Sequence, residues 1–187
     1  MLQVILVIEN KDDQDYVEDV FERYRVRLYR RAFGILKHES DAEDCVQDVI
    51  VVLIDHLQEY QKYSDVHKTK FLFVCCRNIA INKYLQKKRQ NQFQISTTQI
   101  ETGATIDLED YDSNLEKTIV FRETQNNISR AIDSMDSKYG DLLFFRYICN
   151  IKNNDIAKML VLPVNTVNVR LSRARAQLAD IFTKEEV

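Results

Sequence analysis

Apolar residues return every three or four positions along most of this chain, and the phase of that repeat marks out helices. Val17, Phe21, Tyr24, Leu28 and Phe33 form one stripe and predict a helix from Asp12 to Lys37, with Arg23, Arg25, Arg27, Arg30 and Arg31 on its other faces. His38-Glu39-Ser40 interrupts the pattern. Ser40 followed by Glu43 has the form of a capping box, so a second helix is expected to start there and run to about Leu57. Its inner face is Ala42, Cys45, Val49, Leu53 and His56. A polar stretch with two tyrosines, Gln58 to His67, reads as a loop. The repeat returns from Lys68 to Gln90, with Phe71, Leu72, Cys75, Ile79 and Asn82 inward. It is lost from Asn91 to about Asn114 and resumes from Leu115 with Ile119, Ile128 and Ile132. Near the end, a short helix (Asp155 to Leu160) and the connection Val161-Leu162-Pro163 precede a longer helix in which Val167, Leu171, Ala174 and Leu178 share one face.

Composition sharpens this into a fold class. Only three glycines and one proline punctuate 187 residues, which with long helical repeats predicts an all-α protein. The aperiodic stretch is rich in Thr and acid and divides the chain into two small helical domains joined by a flexible acidic linker. The expected bounds are 1–92, 93–114 and 115–187. The opening Met1 to Ile8 is apolar, too short to span a membrane and without a basic leader, so it reads as part of a buried element. No stable membrane insertion is expected, and the cytoplasm is the expected compartment. Four cysteines without CxxC spacing, each on an apolar face, read as reduced core thiols. His38, His56 and His67 are isolated from one another, and no metal or other cofactor is expected.

Net charge is −3, too acidic for a general nucleic-acid coat, but the charges are segregated. From His67 to Gln92 there are seven Lys or Arg residues and no carboxylate, whereas Glu101 to Glu116 carries only negative charge. Asp44, Asp48, Val51 and Asp55 line up opposite the inner face of the second helix, with Gln47 beside them. Such a stripe is either solvated surface or a docking face for a basic partner helix. Tyr60 and Tyr63 ahead of a basic helix are the ingredients for holding single-stranded DNA, by stacking and by cations along the phosphates. A plain basic surface helix with core aromatics is the competing reading.

The last two helices have the layout of a helix-turn-helix DNA reader. Away from the apolar face lie Asn165, Thr166, Val169, Ser172 and Arg173, with Arg170 and Arg175 on the shoulders and no carboxylate before Asp180. An ordinary amphipathic hairpin with a solvated basic face would share most of this pattern. It would have no need of the short hydrogen-bonding groups Asn165, Thr166, Asn168 and Ser172 among the arginines.

Taken together, these segments resemble the extracytoplasmic-function (ECF) branch of bacterial RNA polymerase sigma factors, over nearly the whole chain. The first half resembles region 2 through Ala42-Glu43-Asp44, Gln47-Asp48, Phe71-Leu72 and Arg77-Asn78-Ile79-Ala80-Ile81-Asn82. The second half resembles region 4 through Asp155-Ile156-Ala157, Thr166-Val167, Arg173-Ala174-Arg175 and Leu178. The resemblance implies that Asp44, Gln47 and Asp48 dock on the clamp helices of the largest subunit of core RNA polymerase. It implies that Tyr63, Arg77, Asn78, Lys83 and Lys87 hold the melted minus-ten strand of promoter DNA. Asn168, Val169, Ser172 and Arg173 would read base edges of the minus-thirty-five element, with Thr166, Arg170 and Arg175 on phosphates and the flap of the second-largest subunit beside them.

Members of the family commonly have a cognate anti-sigma factor that clamps the two domains together at rest. The chain departs from the family at Phe71 (usually Trp), Asn82 (commonly Asp), Val51 (often aromatic), Asn168 and Val169 (often Arg or Lys, and Ser) and Asn165 (usually Gly). The promoter sequence is therefore not carried over; Asn165 remains able to cap its helix. A transcription initiation factor without catalysis of its own is the expected function, since no nucleophile–base pair, phosphate-binding glycine loop or metal-ligand spacing is present. A stand-alone helix-turn-helix regulator would instead bind duplex DNA by itself, and a helical interaction protein would bind none.

Overall fold

The computed structural model describes residues 3–93 and 123–185, and every regular element among them is helical. The expected linker and the resumption at Leu115 and Ile119 fall outside the described residues, apart from the last residue of a helix at position 93. A 3-10 turn (Gln3–Val7) leads into α1 (Lys11–Leu36), α2 (Glu39–Asp55), a single turn α3 (Leu57–Tyr60) and α4 (Asp65–Phe93). The second half comprises α5 (Glu123–Ser134), α6 (Ser137–Leu143), a π turn (Phe144–Ile148), α7 (Asn153–Met159) and α8 (Val164–Glu185). No described helix is long and apolar enough to cross a membrane.

Local chemistry sets the ends of the elements. Asn10 caps α1 by accepting from the Asp12 amide at 2.9 Å, and Lys37 closes it in the left-handed region, φ 53°. The capping box at Ser40 does not form. His38 occupies the N-cap position in an extended conformation without a side-chain bond, and Ser40 lies inside the first turn. The polar loop is also shorter than expected, because Leu57–Tyr60 makes a turn of helix and α4 starts at Asp65. Tyr60 is fully buried and serves the core. Among the described residues of the apolar N-terminus, Ile5 is buried in that core and Ile8 packs against it, while Leu6 and Val7 face outward.

α1, α2 and α4 pack as a three-helix unit around Val17, Leu28, Ala32, Ala42, Cys45, Val49, Leu53, Leu72, Cys76 and Ala80. Two thiols cross-link it: Cys45 Sγ donates to the Cys76 carbonyl and Cys76 Sγ to the Leu28 carbonyl, each at 3.5 Å. The four cysteines are free and buried, and burial holds the Cys149 thiol up to about 12. Phe33, expected inside, stacks on Tyr29 at 5.9 Å on the outside of α1. In the second unit α6 packs against α8, and Gly140 brings α6 against the end of α5. A Cβ on Gly140 would come within 2.8 Å of the Ile132 carbonyl oxygen.

The two units also pack on each other, and this explains the composition of α4. Leu72, Cys76 and Ala80 face α1 and α2, whereas Phe71, Cys75, Asn78 and Asn82, spaced i, i+4, i+7 and i+11, face the second unit. Phe71 meets Phe145 edge-on at 5.9 Å, and His67 meets Phe144 at 6.0 Å. Burying a ring such as Phe71 contributes about 2–3 kcal/mol.

Candidate nucleic-acid and polymerase interfaces

The recognition helix of the helix-turn-helix is α8. Val167, Leu171 and Ala174 are buried against α6 and α7, so the opposite face points to solvent with Asn168, Val169, Ser172, Arg173 and Arg175 exposed and Thr166 and Arg170 half-buried. Val169, half exposed at 51%, is an apolar contact of the size that suits a thymine methyl. Asn168 is not wholly free, since its Oδ1 accepts from Asn153 Nδ2 at 2.8 Å. Asn165 lies in the first turn and does not cap. Pro163 takes that position, its carbonyl accepting from the Val167 amide at 3.1 Å. The turn before it contains Val161 at φ 52°, a left-handed conformation that a β-branched residue adopts only under strain.

The candidate docking face on α2 is also open. Asp44 and Gln47 are exposed, Val51 stands beside them, and Asp48 is half-buried. Asp48 is joined to Lys83 of α4 at 2.8 Å. Burial opposes the charge on Lys83, but the bond to Asp48 and the charges of Asp48 and Asp44 outweigh it and raise its pKa above that of an ordinary lysine. One turn further along α4, Lys87 contacts Asp41. The contact to Lys87 holds the Asp41 carboxyl below the usual range.

The remaining candidates on the first unit are engaged by the second. The Tyr63 hydroxyl donates to the Cys149 carbonyl at 2.7 Å, and burial raises its pKa. Arg77 forms an ion pair with Asp141, and Asn78 Nδ2 donates to the same carboxylate at 3.1 Å. Asn82 Nδ2 donates to the Leu160 carbonyl at 2.9 Å, and Lys70 contacts Asp133. Sequence reasoning counted Lys70 only among the cations of the basic helix α4 and did not single out Asp141 or Asp133. Asp141 sits in the apolar run ahead of the π turn, and its 8% exposure marks it as the one buried charged side chain among the described residues. A cleft of about 580 Å³ opens at this junction between Tyr63, His67, Ile132, Tyr147, Arg175 and Leu178, so Arg175 lies at its wall. Among the described residues no cluster of His, Cys, Asp and Glu could hold a metal ion.

Residues 20–90 match Sigma-70 region 2 and residues 125–178 match Sigma-70, region 4. The chain is 25% identical over 173 residues to the ECF RNA polymerase sigma factor SigW of Bacillus subtilis, covering 90% of this chain and 89% of the relative. It is 24% identical to the RNA polymerase sigma factor YlaC of Bacillus subtilis, covering 91% and 94%. A solved structure of the sigma factor RpoE with the anti-sigma factor NepR from Bartonella quintana aligns at 16% identity over 91% of this chain and 98% of that one, with a TM-score of 0.33. With one half matching Sigma-70 region 2, the other matching Sigma-70, region 4, and relatives of this kind along nearly its full length, the chain belongs to the ECF sigma factors, which direct RNA polymerase to promoters.

Proposed function

We propose that the two halves divide promoter recognition between them, region 2 (1–92) opening the minus-ten element and region 4 (115–187) reading the minus-thirty-five element. The observation that carries this is the outer face of α8. It presents Asn168, Val169, Ser172 and Arg173 to solvent directly opposite its buried stripe. Side chains of this size and hydrogen-bonding type suit base edges in a major groove, and Thr166, Arg170 and Arg175, which flank them on the helix, would meet phosphates.

The acidic face of α2, with Asp44, Gln47 and Asp48, docks on the clamp helices of the largest polymerase subunit, and the surface around α8 rests on the flap of the second-largest. Tyr63, Arg77, Asn78, Lys83 and Lys87 take the melted strand, where stacking and phosphate contacts offset the few kcal/mol of unstacking a base. The polymerase does the chemistry, and this chain lends position and specificity in the cytoplasm. A cognate anti-sigma factor is the further partner that the family implies.

Co-purification with core RNA polymerase tests the docking, with Asp44 and Asp48 reversed to Lys in the control. Loss of binding on reversal supports the reading, and transcript mapping with the reconstituted holoenzyme then identifies the promoters. Unchanged binding removes the α2 face from the interface.

A further inference from the structure

Part of the strand-binding surface assigned above, Tyr63, Arg77 and Asn78, is covered by the chain's own second half, while Lys83 and Lys87 are paired with α2. The cover begins just ahead of α4 and runs along it: Tyr63 is held by the Cys149 carbonyl, Phe71 by Phe145, Arg77 and Asn78 by Asp141, and Asn82 by the Leu160 carbonyl. At its centre a nearly buried carboxylate receives a guanidinium and an amide N–H₂ together. Both donors meet the same oxygen, Oδ2, and that is a donor set a DNA phosphate oxygen would take, with one negative charge in the same role. We infer that Asp141 is an intramolecular stand-in for a strand phosphate, latching region 4 over α4 so that the chain covers its own strand-binding face with no other protein present. This rests on the assignment of α4 to the melted strand.

Distance makes release obligatory. Elements centred about 25 base pairs apart lie roughly 85 Å apart at 3.4 Å per base pair. In the closed chain α4 touches the helix-turn-helix itself, through Asn82 and Leu160 at 2.9 Å. The closed chain therefore serves one element at a time. Residues 94–122 can span at most roughly 100 Å, enough to permit separation. The latch is also one-sided, because the outer face of α8 stays open while α4 is covered. Duplex reading by region 4 can therefore precede release, whereas strand capture by region 2 cannot.

Cys75 reports the latch, because it lies on the covered face of α4, whereas Cys45 and Cys76 lie inside the three-helix unit. The full-length chain is treated with a thiol alkylator in the absence of DNA and polymerase, as wild type, Asp141→Ala and Asn82→Ala. Asn82→Ala removes one interdomain bond without changing charge. Alkylation of Cys75 is expected to be at least about tenfold faster in each variant, in proportion to the open fraction, with Cys45 and Cys76 still protected. Cys75 reacting no faster than Cys45 and Cys76 in both variants overturns the latch, since the halves then part only on global unfolding.

Binding to a fluorescent 20-nucleotide single strand of randomised sequence tests occlusion. Both variants are expected to bind about tenfold more tightly than wild type. Affinities equal to wild type overturn the occlusion even where Cys75 has become reactive. The alkylation arm needs neither polymerase nor promoter, so failure of the sigma-factor reading leaves its outcome intact.

Discussion

Lys83 Nζ lies 2.8 Å from Asp48 Oδ2, so a cation proposed to follow the DNA strand neutralises a carboxylate proposed to meet polymerase. The pair ties α4 to the outer side of α2, and each proposed binding event competes with it. Asp44, one turn earlier on α2, is exposed. Reversal of Asp44 to Lys is therefore expected to weaken polymerase co-purification with thermal stability unchanged. Reversal of Asp48 should weaken it and also lower stability, by less than about 1 kcal/mol, the ordinary worth of a half-exposed pair. Equal melting temperatures for the two variants would show that the Lys83 contact contributes nothing to folding.

Arg173 projects from the open face of α8. Arg173→Glu is expected to abolish selective binding of the holoenzyme to its mapped promoters, since a base-edge contact contributes about 1–3 kcal/mol and reversal adds repulsion from phosphate. Polymerase co-purification and the unfolding midpoint should not move. An unchanged transcript map would remove Arg173 from the reading face.

Val161 is held at φ 52° with 59% of its surface exposed, so its side chain gives little burial in return for the strained backbone. Asparagine tolerates this conformation without the added unfolded-state entropy of glycine. Val161→Asn is expected to stabilise the chain by about 1 kcal/mol, read as a higher midpoint in urea with an unchanged slope. A lower midpoint refutes the strain argument.

Gly140 has the opposite character, since it has no room for a methyl group. Gly140→Ala must push the α5 end away from α6, because the atom it meets is the Ile132 backbone oxygen. A cost of about 1–3 kcal/mol is expected. The neighbouring Asp141 should shift with it, so Cys75 alkylation should also quicken.

His67 makes the junction of the two halves sensitive to acid. Burial beneath Phe144 and the Lys70 ammonium lower its pKa from the ordinary value, and Asp133 opposes this without overcoming it. Between the depressed folded value and about 6.5 the folded chain binds fewer protons than the unfolded chain. Stability is therefore whole above about pH 6.5 and falls as pH drops through that window. The loss is bounded at about 1.4 kcal/mol per pH unit for a single proton. His67→Phe keeps an aromatic ring against Phe144 without the proton. Its melting temperature should fall less than that of wild type between pH 7.5 and 5.5, and equal falls would assign the acid sensitivity to other groups.

Elements with one exposed and one buried face were legible from the sequence, because a single repeat then reports a single environment. Val167, Leu171 and Ala174 on α8, and Ala42, Cys45, Val49 and Leu53 on α2, are buried as their spacing predicts, and the faces opposite them are open. Element ends and aromatic positions were less legible. Phe33 has the right phase for burial but finds its partner in Tyr29 outside the core, and His38 takes the cap position that the Ser40–Glu43 pattern suggested for Ser40.

By itself the sequence determined the helices, their apolar stripes, the segregation of charge and the family, all of which are local properties of spacing and composition. Only the tertiary structure decided what α4 does with its second face. Phe71, Cys75, Asn78 and Asn82 repeat like any core stripe, and Arg77 and Lys83 read as free cations for DNA. Each of these groups meets a partner tens of residues away, from Asp48 to Leu160. A helical repeat states which residues share a side; it carries no information about which distant segment covers that side. Asp141 shows the limit most clearly, because a carboxylate ahead of an apolar run has no distinguishing mark until Arg77 and Asn78 are brought to it.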